Sequence, residues 1–339
     1  MNVMKTHHGI SEESTVKRKT FKLAESKRRW LALDEFSWVW FGTAALFIVS
    51  AVLAPGTVTQ GSLLAMLPFA GMLAIVATGQ TVVIQQRGLD MSAVGMVALA
   101  GVLMAILGNM LGSQLLAALL TVAVAVVVGV INGFLTSRLS ISPLVATLAV
   151  NALLIGGVRS LTGNAPVSAA QSLQEFSHSK FLGLPFSVLF AFLFVLVVWV
   201  ITRKTAIGRR FIAVGINPAA ALAAGVRVNS YQVGAYVVSA VCFAVAGMLL
   251  AGFIGSASHT AGNDYLLPAI AAVVVGGTPF TGGKGSVVAS AVAALFMAQL
   301  GQMVLAMGAS AAIQLLVQAL AILIAITVRN VPGVIRGRH

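Results

Sequence analysis

Apolar residues come in long blocks rather than in alternation, and ten such blocks follow residue 36. They lie near 37–54, 62–84, 92–111, 114–136, 143–161, 185–202, 231–254, 265–277, 286–307 and 310–328. Most approach the roughly 20 residues that carry a helix across a bilayer. The pattern predicts an all-α polytopic membrane protein with about ten transmembrane helices, both termini on the cytoplasmic side. The eighth block is short, bounded by Pro268 and by Gly276-Gly277. It reads as a broken or re-entrant helix, a form tolerated at membrane depth only where it is buried in protein or lines a cavity. Alanine and glycine crowd the blocks, which allows close helix contact and suits a tightly packed bundle with a narrow pathway.

The polar intervals divide the chain. Residues 1–35 carry eight Lys/Arg and five Asp/Glu and read as a disordered cytoplasmic tail without the pattern of a signal peptide. Within it, Lys27-Arg28-Arg29-Trp30 suits a topological anchor or contact with an anionic membrane surface. The membrane domain spans 36–329 and a short cytoplasmic tail 330–339. The long outer connection, about 160–184, reads either as a rim for a docking partner or as a solvated spacer. The longest basic interruption, about 203–229, has local helix signals. Asn217 suits an N-cap, Pro218 the first helical position and Gly225 the residue past the end, with five alanines and a leucine between them. A helix this short is marginal alone. It needs a surface, supplied either by a cytoplasmic partner or by the ends of its own membrane helices.

Composition agrees with the blocks. Of 339 residues, 59% are hydrophobic and 9% charged, where a soluble domain carries about 25% charged. The formal net charge is +13. Its basic residues are spread over loops and tails, which argues against a nucleic-acid face. After residue 35 there are thirteen Lys/Arg and only three acids, Asp90, Glu175 and Asp264. With the N-terminus inside, eleven of those thirteen fall on the cytoplasmic side, as the positive-inside rule asks.

No catalytic or metal-binding constellation appears. The five histidines, His7, His8, His178, His259 and His339, form no ligand pair at helical spacing in the membrane. The one cysteine, Cys242, sits in an apolar block and reads as a small core residue. Gly282-Gly283-Lys284-Gly285-Ser286 fails as a phosphate loop, because Gly285 follows the lysine and Thr278 stands where the first glycine belongs. Asp90 and Asp264 stand at block ends and suit helix caps better than proton or sodium coupling. Gln80, Asn132, Asn151, Gln299, Gln302 and Gln314 are uncharged polar residues inside blocks. They suit hydrogen bonding to a hydroxylated solute or between helices, and Gln80, Asn132, Asn151 and Gln299 are taken as the pathway candidates.

Five stretches in order resemble the membrane subunit of bacterial ABC importers of the ribose and simple-sugar type. Arg87-Gly88-Leu89-Asp90-Met91-Ser92 is similar to that family's Gly-Gly-Ile-Asp-Leu-Ser turn. Asn132-Gly133 and Pro143 to Leu148 resemble its central block, and Thr205 to Gly225 its cytoplasmic coupling loop. Tyr265 to Thr278 and Gly282 to Ser286 resemble its C-terminal signature. Three departures stand out: Arg87 where the family usually has glycine, Ala93 as an added residue, and Pro218-Ala219 in place of polar residues.

The resemblance implies a permease that catalyses no reaction and binds no cofactor or metal, with ATP and magnesium on a separate ATPase subunit. It implies that Gly208, Arg209, Arg210, Ala213, Gly215, Asn217, Ala220 and Gly225 couple to that ATPase. It implies a structural signature at Gly88, Asp90, Ser92, Gly276, Gly277, Gly282 and Gly283. The implied partners are the ATPase, a solute-binding protein, a second permease subunit (identical or homologous) and the lipid of the bacterial inner membrane. An ion-gradient-driven secondary transporter is the main alternative. A passive channel and a scaffold are the others.

Overall fold

The computed structural model describes residues 36–335. The expectations for the tail 1–35 and for residues 336–339 lie outside the described residues. The chain divides into two units, Met1–Trp38 and Val39–His339, and the helical bundle is the second.

All ten apolar blocks are helices: α1 (Trp38–Leu53), α2 (Gln60–Gln85), α3 (Ala93–Leu111), α4 (Gln114–Ser137), α5 (Pro143–Thr162), α7 (Phe186–Lys204), α10 (Val228–Ile254), α11 (Asn263–Val275), α12 (Val287–Ala306) and α13 (Ala311–Ile335). Seven of them are long and apolar enough to cross a membrane: α2, α3, α4, α5, α7, α10 and α12. The apolar stretches of α1, α11 and α13 are shorter. Because α13 continues to Ile335, the tail expected from residue 330 begins as helix. The polar connections hold three more helices, α6 (Gln171–His178), α8 (Ala206–Ile216) and α9 (Pro218–Ala223).

Local chemistry sets these ends. Thr59, Ser113 and Ser286 accept N-terminal amides of α2, α4 and α12, and Pro143 opens α5. Glycines in the left-handed conformation end α3, α5 and α10 at Gly112, Gly163 and Gly255.

The bundle has two shells. Two-thirds of the central window of α10 is buried (67%), against 17% for α7. α2, α3 and α12 share the inner shell with α10, while α4 and α5 lie outside with α7. Helix α10 packs on α2, α3, α4 and α6. Its tightest neighbour is α4, where Gly129 and Gly133 face the backbone of Val237 and Val233. This Gly-x-x-x-Gly spacing puts both glycines on one helix face and lets the axes approach.

The connection 160–184, expected on the outer side, is folded rather than a plain spacer. Helix α6 lays Leu173 and Ser177 against Gly252 of α10, and β2 (Lys180–Phe181) and β3 (Leu184–Pro185) form a hairpin through Leu182 and Gly183. A second strand pair joins β1 (Val167–Ser168) to β4 (Ser256–Ala257), just past α10.

Candidate functional site

The strand β4 begins an unusual descent. Residues 255–262 run back along α3, with Ala257 beside Gly101 and Gly262 against the Val94 carbonyl. Helix α11 therefore starts within the bundle, with Asp264 in its first turn. The broken element expected at 265–277 is thus a half-helix reached by non-helical backbone. That backbone lines a cavity, the circumstance in which it is tolerated at this depth.

The cavity has a volume of about 650 Å³, within the usual range for small-molecule sites. Its floor is the start of α11, with Asp264, Tyr265 and Pro268. Met66, Phe69 and Leu73 of α2 and Met297, Gly301 and Gln302 of α12 form two walls. Gln314 and Gln318 of α13 and Ser258 and Thr260 of the descending segment add hydrogen-bonding groups. Asp264 is the one charged residue in this lining and is exposed to it. Its carboxylate is not the cap of α11: Gly262 holds the N-cap position and no side chain caps the helix. The capping expectation fails here because the chain turns into α11 through glycine, leaving the acid free to face the cavity.

The opposite end of the bundle is basic, with Arg138, Arg203, Lys204, Arg209, Arg210 and Arg227 at the ends of α4, α7, α8 and α10. Here α8 and α9 are joined at Asn217, whose extended backbone ends one helix and opens the next. Thr205 accepts the Gly208 amide at 3.1 Å and starts α8. Asn217 Oδ1 accepts the Ala220 amide at 3.0 Å and starts α9 after Pro218, and Gly225 follows with φ 78°. The expected short helix is present, and α8 before it is an addition. Buried Phe211, Val214 and Ala221 dock the pair on the bundle. Ile207, Ile216 and Leu222 remain exposed at 62%, 59% and 65%, beside exposed Arg209 and Arg210.

Three segments meet beneath this pair: the end of α2, the end of α8 and the loop before α12. Gly283 N–H donates to the Gln85 carbonyl at 2.9 Å. Gln86 Nε2 donates to the Phe211 carbonyl at 2.8 Å. Arg87 donates from Nε to the Gly215 carbonyl at 3.1 Å and from a terminal nitrogen to that of Ile216 at 2.6 Å. Arg203 donates to the Gly285 carbonyl at 2.5 Å. Gly215 abuts the Gln85 carbonyl, and a Cβ on Gly283 would stand 2.7 Å from Ile216 Cα. Gly282 and Gly283 hold φ of 82° and 74°, so glycine is required there for conformation as well as space.

The chain matches the family model described as branched-chain amino acid transport system / permease component over residues 62–326. It belongs to that permease family. It is 34% identical to the ribose import permease protein of Bacillus subtilis over 288 residues, covering 84% of this chain and 89% of the relative. It is 31% identical to the ribose import permease protein of Escherichia coli K12 over 290 residues, covering 84% and 90%. An autoinducer 2 import system permease protein of Escherichia coli O9:H4 is 30% identical over 237 residues, covering 68% and 72%. No solved structure matches the chain. With its apolar helices, the permease is a multi-pass inner-membrane protein.

The permease puts the sequence's polar candidates to two uses. Gln302 and Gln314 line the cavity, joined by Gln318. Gln80, Asn132, Asn151 and Gln299 do not line it. Gln80 Nε2 donates to the Asp90 carbonyl at 2.5 Å, Asn132 Nδ2 to Ser92 Oγ at 2.9 Å, and Gln299 Nε2 to Thr57 Oγ1 at 3.2 Å. Asn151 Oδ1 accepts the Gly95 amide at 2.7 Å. Asp90 is wholly buried, and its Oδ1 accepts both the amide and the hydroxyl of Ser92, at 3.0 and 2.5 Å. Thr147 Oγ1 takes the Met91 amide at 2.9 Å. The Gln80, Asn132 and Thr147 bonds stitch the 86–92 turn to α2, α4 and α5, while Asn151 ties α5 to α3 and Gln299 ties α12 to Thr57, the work of interhelical polar residues in a membrane. Gly88 abuts Tyr236 and Gly276 the backbone of α12, so the signature glycines fall at close approaches. Gly277, with φ 91°, is the turn after α11.

Proposed function

We propose that this permease is the transmembrane subunit of an ATP-driven ABC importer, forming the pathway for a sugar or related hydroxylated solute. The observation that carries the reading is the α8–α9 pair. It presents an exposed apolar face flanked by arginines, as an unpaired protein-docking surface does. A cleft of about 410 Å³ beside it runs between Arg138, Pro218, Leu222 and Arg227 and offers a seat for an ATPase subunit. The basic end is the cytoplasmic end by the positive-inside rule.

The cavity then opens toward the outer side. Its amide and hydroxyl groups suit a hydroxylated solute, and the names of the ribose import relatives support that class. A solute-binding protein delivers the solute, and a second permease subunit completes the pathway. The permease itself binds no nucleotide and catalyses no reaction. Its Gly282–Ser286 loop is held by Gln85 and Arg203 rather than open to a phosphate. For an ion-gradient mechanism Asp90 is held by Ser92 through one carboxylate oxygen, and Asp264 in the cavity is the acid such a mechanism would have to use.

The test is affinity purification of the tagged permease in mild detergent with its companions identified by mass spectrometry. An ABC ATPase co-purifies, and it is lost when residues 209–224 become a Gly/Ser linker of equal length. A folded protein that transports solute with no ATPase present sinks the reading.

A further inference from the structure

We infer that Arg87 is the positioning residue that binds the α8–α9 pair to the two helices walling the cavity, so that movement of the pair reaches the solute. The inference rests on the importer reading above and names the part that transmits motion within it.

The backbone at Arg87 supplies the first observation. Its φ is 65°, the left-handed region that a glycine enters freely and a branched or long side chain enters at a cost. Such conformations persist where the surroundings demand them and cluster at switch regions. The side chain shows what is gained. The guanidinium spans two successive carbonyls at the C-terminus of α8, those of Gly215 and Ile216. The last carbonyls of a helix lack intrahelical partners and carry the negative end of its dipole, so a cation there is doubly favoured. Only a fork of fixed geometry meets both oxygens from one side, which lysine lacks.

The second observation is where the tied elements lead. Arg87 follows Gln86, the C-cap of α2, and its stem lies against Gly282 in the loop that opens into α12. Twelve residues of α2 separate Gln85 from Leu73 in the cavity wall, about 18 Å of helix. Ten residues of α12 separate Val287 from Met297 in the other wall, about 15 Å. Both helices are largely buried, and Pro68, where α2 can bend, lies beyond Leu73, so the stretches between the tie and the walls are continuous helix. A displacement of α8 thus pulls on both walls, with Arg87 touching α8 and the α12 loop together and Gln86 adding a second tie from α2 to the Phe211 carbonyl, a contiguous physical route rather than mere proximity.

The experiment uses the permease in lipid nanodiscs with its co-purified ATPase. A single reporter thiol is placed in the cavity by Thr260→Cys, with Cys242 buried and silent. The labelling rate by a charged methanethiosulfonate is read with and without Mg-ATP plus vanadate, alongside ATP hydrolysis and the melting temperature. With Arg87 intact, the nucleotide changes the labelling rate by about fivefold or more, the usual scale of coupling between sites. If it does not, or if no ATPase co-purifies, the importer reading itself fails and the inference goes with it. In Arg87→Gly, which relieves the strained φ, melting is unchanged or higher and ATP hydrolysis persists. The nucleotide-dependent change in labelling falls below about twofold, under the range of coupled sites, and Arg87→Lys restores only part of it. An undiminished change in Arg87→Gly overturns the inference. So does loss of the ATPase from that variant, since Arg87 would then serve docking rather than transmission.

Discussion

The contact between α4 and α10 yields a prediction with a built-in control. Replacing Gly129 by valine puts a Cβ 2.5 Å from Val237 Cα and 2.8 Å from the Tyr236 carbonyl, both backbone atoms. Carbon pairs rest at about 3.5–4.0 Å, so the helices must separate by about 1 Å. A gap of that size forfeits about a quarter to a half of each dispersion contact along the seam, and overpacking costs about 1–3 kcal/mol. Gly234 lies on α10, three residues before Val237, yet nothing stands within 4 Å of its Cβ position. Gly234→Val shares the change in helix propensity, which by itself favours valine over glycine by a few tenths of a kcal/mol. The assay is intrinsic to the chain. Cys242 is its only cysteine and is fully buried on α10, so a thiol-reactive fluorophore reports unfolding on heating. Gly129→Val melts well below wild type, and Gly234→Val melts at or above it. Equal melting temperatures for the two variants would show that the α4–α10 seam is not closed as described.

Further outcomes follow from other contacts. Asn217→Ala removes the cap of α9 at a cost of about 1 kcal/mol, so hydrogen exchange at 219–224 quickens while α8 stays protected. Asp90→Ala removes the acceptor of the Ser92 amide and hydroxyl, leaving Ser92 only its bond from Asn132 among side chains, and lowers the melting temperature by the equivalent of about 1–3 kcal/mol. Asp264→Asn, exposed in the cavity, leaves melting unchanged but alters solute uptake by whole cells. If transport is driven by ATP, wild-type uptake also survives a protonophore in cells supplied with ATP. Gly215→Ala drives a methyl group into the Gln85 carbonyl and lowers uptake more than Gly225→Ala, whose Cβ position is open despite its positive φ; uptake of whichever radiolabelled solute the wild type carries reads the difference.

The membrane makes much of this fold legible. A bilayer demands uninterrupted apolar length, so every helix of the main bundle is written as a block, and α11 shows as the short one, although Pro268 lies inside that helix and Gly276-Gly277 mark its end rather than the break before it. Helices α6 and α8 carry weaker marks. In α8 the buried Phe211 and Val214 alternate with exposed Arg209 and Arg210, an amphipathic stripe hidden in a stretch too short to compel a reading. The site is less legible for a physical reason. Helices apolar all round carry no polar stripe to show which face looks inward. Gln302 and Gln299 are three residues apart on α12, yet one faces the cavity and the other Thr57. Residues at i and i+3 share a side of the helix, so their spacing does not tell them apart. The Gly129/Gly133 spacing, by contrast, stands in the sequence and was available to be read.

The central place of α10 has a consequence for how the protein is made. Translation delivers α2 through α5 first, and α10 begins 90 residues after α4 ends, a delay of about 5–20 s at ribosomal speed. During that interval the face of α4 bearing Gly129 and Gly133 has no partner, and the early helices wait in the lipid around an empty axis. The innermost helix arrives among the last, so the bundle cannot close progressively from its N-terminal end. A ribosome stalled before residue 228 leaves a half-made permease whose most adhesive surface faces the bilayer, a natural target for membrane proteases and holding chaperones.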